Sequence, residues 1–314
     1  MSLPHKPVLA EEVKRFLTLT SAKRLVDGTV GVGGHARKLL EELPEAQLLG
    51  IDRDARALEI AGENLAAFAD RIHLVRGSYS EMESLVRELE WPEVDVVLLD
   101  LGMSSLQLDD STRGFSFQRD GPLDMRMDRR GGITAASILN QWSEAEIARI
   151  FREYGEERHA RRIAKAIVSR RHEKPWMRTG ELTELIRKMA GGGYHNRLRA
   201  PVRCFQALRI AVNKELDELE KGLEAAFRIL APGGRLAVIS FHSLEDRMVK
   251  QKLKYEAAAC VCPPELPECR CDKQVRAKIL TRKPITAAAA ETESNPRAAS
   301  AKLRVAEKIE PGTS

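Results

Sequence analysis

The chain has 314 residues, of which 43% are hydrophobic and 31% charged, and its formal net charge is +5. This composition predicts a folded protein with a large core, and the mildly basic charge permits an anionic partner without requiring one. No run of about 18 apolar residues occurs, so we expect no transmembrane helix and no membrane partner. Residues 1–6 lack an apolar segment, so we expect no signal peptide, and five cysteines without an export signal indicate a reducing cytoplasm.

Apolar runs alternate with amphipathic stretches through the first hundred residues. They predict strands at 25–26, 47–51, 72–75 and 94–99, with helices near 36–43, 55–68 and 80–89. Strands separated by helices form a parallel sheet that is covered on both faces, which predicts an α/β fold. Later apolar runs predict one further strand and a closing antiparallel hairpin, at 236–239, 277–281 and 303–306.

The segment between these two groups of strands predicts a helical insertion. We place it at residues 108–212, inside a sheet domain formed by residues 1–107 and 213–314. Within it, Ser143-x-x-Glu146 has the spacing of a capping box at the start of a helix. Apolar residues at helical spacing over 205–223 predict one long helix that leads back into the sheet domain.

The insertion carries the positive charge of the chain. It has 21 lysines and arginines against 13 acidic residues, a net charge of +8, which leaves 5 − 8 = −3 for the rest. Clustered cations beside an aromatic ring suit a phosphate backbone and a stacked base, and a solvated helix face is the alternative. The ring is Trp176, and the cations are Arg158, Arg161, Arg162, Lys165, Arg170, Arg171 and Lys174.

A glycine-rich segment, Asp27–His35, joins the first predicted strand to the helix that follows it. Glycines at this place let the backbone approach a ligand closely, and the helix start offers free N–H groups, so the segment indicates a nucleotide-like cofactor. It is not the dinucleotide fingerprint, because Ala36 stands where the third glycine would be. The acid that opens the motif, Asp27, favours S-adenosylmethionine over a dinucleotide.

Carboxylates end three of the predicted strands. Asp27, Asp52 and Asp100 each close an apolar run, and ligands of such sheets bind at the carboxyl ends of the strands. Asp52 has the spacing of an acid that binds ribose hydroxyls, Asp100 suits a cationic amino or sulfonium group, and Tyr79 is placed to flank an adenine. The alternative is that these carboxylates only cap the following helices.

Several long segments resemble the MraW family of bacterial ribosomal RNA methyltransferases. The resemblance covers nearly the whole chain, and its long motifs are more specific than a glycine-rich loop alone. The matching segments are Asp27–His35, Gly50–Asp54, Leu99–Ser105, Gln107–Asp109, Arg113–Phe117, Gly121–Asp128, Tyr154–Arg158, Phe205–Arg209, Asn213–Leu216 and Ser240–Arg247.

This resemblance implies a class I S-adenosylmethionine-dependent methyltransferase with a Rossmann-like sheet and an inserted helical domain that recognises RNA. The implied reaction is methylation of N4 of one cytosine, position 1402, in the 16S rRNA of the small ribosomal subunit. A homodimer is among the assembly states left open. The implied cofactor contacts are Gly33, Gly34, His35, Asp52, Tyr79, Asp100 and Gln107.

The chemistry of the acceptor suggests further residues. An exocyclic amine of cytosine is a poor nucleophile, so the enzyme must align it and accept hydrogen bonds from its protons, with the base out of any stack. We expect Ser104, Ser105, Asp109 and His242 to surround the base, and Phe241 or Phe115 to stack on it. For Asp124 and Asp128, pairing with arginines that stabilises the fold is favoured over RNA contacts.

Four cysteines lie close together in the sequence, as Cys260-x-Cys262 and Cys269-x-Cys271. Four thiolates suit a structural zinc ion, although each pair has only one intervening residue. Free thiols and redox pairing remain alternatives, and no metal is assigned to the reaction.

Two other functions are compatible with parts of the sequence. A nicotinamide-dependent oxidoreductase is favoured by the glycine-rich loop alone, and a non-catalytic RNA-binding ribosome assembly factor is favoured by the basic insertion. The combination of Gly33, Asp52, Asp100 and Gln107 argues against a non-catalytic protein.

Overall fold

The computed structural model describes residues 6–191, 193–263, 266 and 268–310. Residues 1–5, which bear on the expected absence of a signal peptide, lie outside this range. The chain divides into two compact units. The sheet unit comprises the described residues up to Gly102 and from Glu218 onward, and the helical unit comprises Met103–Asp217. Among the described residues, no helix has the length and apolarity needed to cross a bilayer.

The limits of the two units differ from the expected domain boundaries at 107/108 and 212/213. They fall at 102/103 and 217/218. Met103 packs against the core of the helical unit, and Arg209 binds Glu215 through two hydrogen bonds of 2.8 Å. The residues that join the sheet to the insertion are therefore part of the helical unit.

Seven strands form a single sheet in the sheet unit. Their bounds are Arg24–Asp27 (β1), Gln47–Asp52 (β2), Ile72–Arg76 (β3), Val94–Asp100 (β4), Leu230–Ser240 (β5), Ala277–Ile279 (β6) and Lys302–Lys308 (β7). The spatial order is β3-β2-β1-β4-β5-β7-β6, in which the first five are parallel and β7 is antiparallel to β5 and β6. This sheet confirms the predicted class I methyltransferase architecture, including its closing hairpin.

Helices cover both faces of the sheet because successive strand residues point to opposite sides. Val97 lies in one hydrophobic cluster with residues of α4 (Met82–Glu88), α11 (Glu215–Ile229) and α12 (Ser243–Glu256). Its neighbour Leu98 lies in a second cluster with residues of α1 (Ala10–Leu17) and α2 (Gly34–Glu42). The remaining helices of this unit are α3 (Ala55–Asn64), α13 (Ala289–Ser294) and the 3₁₀ helices Ala66–Arg71, Tyr79–Glu81 and Pro296–Ser300.

The helical unit has its own hydrophobic core, which includes Phe115, Phe151 and Trp176. The predicted capping box at Ser143 and Glu146 is confirmed, with both reciprocal hydrogen bonds present. The helices are α5 (Ser105–Asp109), α6 (Ala135–Gln141), α7 (Glu144–Glu153), α8 (Ala160–Arg171), α9 (Thr179–Met189) and α10 (Tyr194–Asn213), with a 3₁₀ helix at Ser111–Arg113.

The single long helix predicted over 205–223 is wrong. The chain forms two helices, α10 and α11, which are separated at Lys214, where the backbone is left-handed with φ 51°. The ion pair between Arg209 and Glu215 spans this break, and both side chains are nearly buried. Apolar periodicity continued through the break because both helices bury one face, so the pattern alone did not reveal it.

Candidate active site

The carboxyl ends of the parallel strands form the ligand-binding edge expected of such a sheet. The strand order reverses between β1 and β4, and open α/β sheets bind ligands at this switch point. Asp27 ends β1, Asp52 ends β2 and Asp100 ends β4, so three carboxylates lie along one edge. The glycine-rich loop after β1 leaves the sheet at the same place.

The backbone of this loop is shaped by two glycines in the left-handed region. Gly31 has φ 53° and Gly33 has φ 85°, conformations that side chains with a Cβ disfavour. Gly33 is the N-cap of α2 and has no side chain with which to cap this helix. The first-turn N–H groups, including those of Gly34 and His35, are therefore available to a bound ligand.

The carboxylate of Asp52 fixes the same loop. Its Oδ2 accepts a hydrogen bond from the Gly31 N–H at 3.0 Å, and its Oδ1 accepts one from the Asp54 N–H at 2.8 Å. Burial raises the pKa of Asp52 to about 6, and burial also raises the pKa of Asp27 to about 7. Asp52 keeps further acceptor capacity on both oxygens, because each carboxylate oxygen has two lone pairs.

Asp100 and His35 present buried polar atoms that are unsatisfied. Asp100 Oδ1 and His35 Nε2 are buried and have no hydrogen-bond partner among the described residues. His35 Nε2 lies 3.6 Å from Asp100 Oδ2, and the Asp100 N–H donates to Thr29 Oγ1 at 2.6 Å. Because buried polar atoms are almost always paired in folded proteins, this pair points to a polar ligand at the switch point.

Tyr79 is held against two glycines of the sheet unit. A Cβ on Gly222 would lie 2.7 Å from Tyr79 Cε2, and a Cβ on Gly28 would lie 2.7 Å from Tyr79 Cβ. The Cδ2–Cε2 edge of the ring therefore lies against the backbone of α11, and the position of Tyr79 depends on the absence of side chains at both glycines. Sequence reasoning identified Gly28 as part of the loop but missed Gly222, which lies far away in the sequence.

Replacing Gly222 with Ala is expected to displace the Tyr79 ring and lower the affinity for S-adenosylmethionine roughly tenfold, about 1.4 kcal/mol. Isothermal titration calorimetry measures this change. Gly62→Ala is the matched control, because Gly62 also lies in a helix of the sheet unit and an added Cβ there makes only an ordinary 3.8 Å contact. The control is expected to keep the affinity and to raise stability by about 0.5–1 kcal/mol. Equal affinity in the two variants would contradict the proposed role of Tyr79.

A polar network that sequence reasoning missed ties together the loops after β2 and β3. Glu218 Oε2 accepts hydrogen bonds from Ser78 Oγ and from Ser80 Oγ, the latter at 2.6 Å, and lies 2.5 Å from Arg53 Nη2. These partners hold the pKa of Glu218 below its usual range, although burial opposes them. The only sequence signal was the Ser78-Tyr79 pair after the third strand.

His242 and Phe241 follow β5 at the same edge of the sheet. His242 is the N-cap of α12, where its Nδ1 accepts a hydrogen bond from the Glu245 N–H at 3.4 Å. The buried Glu245 carboxylate in turn accepts from the N–H groups of Phe241 at 2.8 Å and His242 at 3.3 Å. Phe241 is half-buried against Gly102. These contacts give His242 a structural role as the N-cap of α12.

The other predicted site residues lie in the helical unit. Ser104 and Gln107 form a reciprocal capping box around the start of α5, with two hydrogen bonds of 3.3 Å. Asp109 ends α5 and is exposed, and Ser105 is the first residue of that helix. The Asp124 carboxylate binds Arg126 through contacts of 2.8 and 2.9 Å, which confirms the stabilising ion pair expected there.

Two aromatic side chains of the helical unit do not have their predicted roles. Trp176 is fully buried, and its Nε1 donates to the Ile167 carbonyl at 3.1 Å, so it cannot stack on a base. Arg170 lies over its ring at 3.9 Å, which places the cation–aromatic pair within the protein. Phe115 is only 5% exposed in the core of the helical unit, which excludes it from stacking on the cytosine. Both rings are buried by apolar packing in the core of the helical unit.

The predicted basic cluster separates into structural and solvent-facing cations. Arg171 donates to the carbonyls of Leu139 and Trp142, and Lys174 pairs with Glu181 at 2.5 Å, so both are occupied within the protein. Four further cations are exposed and form no ion pair with any described residue: Arg158, Arg161, Arg162 and Lys165. Arg158 also lines a cavity of about 560 Å³, together with His195, Arg199 and Arg203.

Comparisons with known proteins show the family to which the chain belongs. The sequence model of the MraW methylase family matches residues 2–309. The chain is 51% identical to the ribosomal RNA small subunit methyltransferase H of Syntrophotalea carbinolica over 307 residues, covering 97% of this chain and 98% of that protein. It is 50% identical to the proteins of the same name from Heliobacterium mobile and Geobacter sulfurreducens, covering 98% of this chain and 100% of each relative. The chain belongs to the MraW methylase family.

Proposed function

We propose that this protein transfers a methyl group from S-adenosylmethionine to N4 of a cytosine, position 1402, in the 16S rRNA of the bacterial small ribosomal subunit, in the cytoplasm. The observation that carries the proposal is the unsatisfied pair at the switch point, Asp100 Oδ1 and His35 Nε2, beside a glycine-shaped loop. The names of the relatives indicate that the substrate is rRNA. Nicotinamide-dependent oxidation and non-catalytic ribosome assembly are not favoured by the family match.

The residues at the sheet edge fit S-adenosylmethionine. Asp100 offers a buried carboxylate oxygen to the cationic amino group, and Asp52 offers lone pairs to the ribose hydroxyls. Tyr79 flanks the adenine, and the backbone around Gly33 approaches the remaining part of the ligand. His35 and Gln107 complete the proposed contact set. When bound, the cofactor supplies an electrophilic methyl group on a sulfonium.

The acceptor side of the reaction depends on alignment more than on acid–base strength. The N4 amine has its lone pair delocalised into the ring, so holding it in line with the methyl group and accepting hydrogen bonds from its protons supply the main rate gain. Phe241, His242 and Lys302 line a cavity of about 230 Å³ beside the end of β5, which supports binding of the base near this edge. We assign the alignment of the base to Ser104, Ser105, Asp109 and His242.

Replacing Asp109 or His242 with Ala is expected to lower turnover at least tenfold while the affinity for S-adenosylmethionine changes little, because both residues are assigned to the acceptor. Single-turnover methylation and calorimetry measure the two quantities separately. His242 also caps α12, so His242→Asn, which retains an N-cap acceptor, separates loss of the cap from loss of catalysis. Normal turnover in Asp109→Ala and His242→Ala alike would overturn this assignment.

The helical unit provides the cations that bind the RNA backbone. Arg161, Arg162 and Lys165 project from α8 without an ion pair among the described residues, so their charges are available to phosphates. Arg158 and Arg199 line the neighbouring cavity of the same unit. Exposed unpaired cations of this kind release counterions from RNA on binding, which makes affinity depend on salt.

Replacing Arg161, Arg162 and Lys165 together with Ala is expected to weaken RNA binding and to reduce the slope of log K against log salt by about 1 for each phosphate that the variant no longer neutralises. Filter binding of a small-subunit rRNA fragment at several salt concentrations measures the slope. The control is Arg149→Ala with Arg152→Ala, because both arginines pair with Glu153 on α7. An unchanged slope in the triple variant would show that these residues of α8 do not contact RNA phosphates.

The function is tested by methylation of small ribosomal subunits that lack the modification, followed by mass analysis of the nucleosides. N4-methylated cytidine is expected, and its absence would overturn the proposal.

Parallel reactions with free 16S rRNA distinguish an assembled subunit from naked RNA as substrate. Thermal stabilisation by NAD but not by S-adenosylmethionine would favour an oxidoreductase instead. Light scattering on the purified protein tests the homodimer.

A further inference from the structure

The stretch between α12 and β6, residues 257–276, is irregular in the part that the structure describes. It contains no helix or strand among its described residues, and none of those residues is buried. Val261 and Leu266 are 45% and 42% exposed, so apolar packing does not hold the stretch together. Long irregular segments inside compact folds are uncommon unless they are functional or fixed by another constraint.

Four cysteines converge within this stretch. The Sγ atoms of Cys260, Cys262, Cys269 and Cys271 all lie within 4.8 Å of one another. The Cys269–Cys271 and Cys260–Cys271 sulfur distances are 3.5 and 3.8 Å. Tetrahedral zinc with bonds of about 2.3 Å to sulfur places its sulfurs about 3.8 Å apart, whereas a disulfide requires about 2.05 Å. The spacing of the sulfurs therefore suits a shared metal ion.

Backbone N–H groups surround the same sulfurs. The Val261 N–H donates to Cys271 Sγ and the Cys262 N–H donates to Cys260 Sγ, both at 3.4 Å. The Arg270 N–H donates to Cys262 Sγ at 3.3 Å. Hydrogen bonds from the surrounding backbone stabilise negative charge on thiolate ligands and orient them. The four sulfurs thus lie close together although only one residue separates the cysteines of each pair. The same turns bring backbone N–H groups to the sulfurs.

We propose that Cys260, Cys262, Cys269 and Cys271 bind one structural zinc ion. Four thiolates fill the tetrahedral coordination of zinc and leave no open position, so the ion orders residues 257–276 and takes no part in methyl transfer. Each thiol releases its proton on binding, so the site binds metal without any change in redox state. The ion takes the place of a hydrophobic core, which the described residues of this stretch do not form.

The test is elemental analysis of the full-length protein after tag removal and passage over a chelating resin. About one zinc per chain is expected, with sulfur-to-cobalt charge-transfer absorption after replacement by Co²⁺. Cys262→Ser is expected to lose the zinc. Cys204→Ala is the matched control, because Cys204 is buried alone in the helical unit, and it is expected to keep the zinc.

Limited proteolysis provides a readout that does not depend on a variant that folds. Removal of zinc from the wild-type protein by a chelator is expected to expose residues 257–276 to cleavage, and re-addition of zinc is expected to restore protection. Zinc far below one per chain, with four titratable thiols or with two disulfides found by mass spectrometry, would overturn the proposal. Full zinc content in Cys262→Ser would overturn it as well.

Discussion

Asp100→Asn is expected to weaken the binding of S-adenosylmethionine roughly 10- to 150-fold, because a hydrogen bond to a charged group contributes about 1.5–3 kcal/mol. Asp100 Oδ1 is buried without a partner among the described residues, so its negative charge is available to a cationic ligand. The amide has nearly the same shape and keeps the backbone bond to Thr29. The substitution is therefore expected to lower the affinity for the ligand more than the stability of the fold.

Calorimetric titration with S-adenosylmethionine measures this effect, and thermal unfolding without ligand checks the fold. Asp95→Asn is the matched control, because Asp95 lies near the opposite end of the same strand and accepts hydrogen bonds from the N–H groups of Lys23 and Arg24. That variant is expected to bind the ligand normally. If Asp100→Asn bound as tightly as the wild-type protein, the ligand would have to lie elsewhere along the edge.

The contribution of Asp27 to the stability of the unliganded protein is expected to be lost as pH rises from about 4 to about 8. Burial raises the pKa of Asp27 from 3.8 to about 7 in the folded state, and the nearby carboxylates of Asp100 and Asp52 act in the same direction. The folded protein therefore keeps a proton that the unfolded chain has released between these pH values. The contribution is present in full below about pH 4 and is lost as pH passes through about 7, a change on the order of 4 kcal/mol.

Urea unfolding of the wild-type protein and of Asp27→Asn across this pH range measures the contribution. Asparagine cannot ionise but can still accept the hydrogen bond from the Thr29 N–H that Asp27 accepts at 3.1 Å. As pH rises, the free energy of unfolding of the wild-type protein is expected to fall relative to that of Asp27→Asn. Asp54→Asn is the control at a neighbouring carboxylate that caps α3. A pH-independent difference would show that Asp27 ionises normally.

The sheet could be predicted from sequence because its strands are continuous apolar runs. Such runs arise when both faces of a parallel strand are buried, as they are for Val97 and Leu98 on opposite sides. The closing hairpin was also predicted, because the last two apolar runs fit the antiparallel pair that closes a class I methyltransferase sheet. The break at Lys214 could not be predicted, because a single left-handed residue leaves the apolar spacing on either side intact.

The site was only partly predictable. The acids at the strand ends follow from strand boundaries, which are local, and the loop glycines follow from the need for left-handed backbone at Gly31 and Gly33. Gly222 and Glu218 were missed because their partners, Tyr79 and Ser78, are more than a hundred residues away in the sequence. Contacts between distant segments carry no periodic signal.

The sequence by itself determined the order of strands and helices, the carboxylates that end the strands and the family resemblance, because each of these depends on short patterns or on runs of matching residues. Only the tertiary structure decided which polar side chains are already occupied. It placed Trp176 and Phe115 in a core, engaged Arg171 with backbone carbonyls and left Asp100 Oδ1 without a partner among the residues that it describes. The physical reason is that burial and hydrogen bonding depend on neighbours that the fold brings together, whatever their separation along the chain.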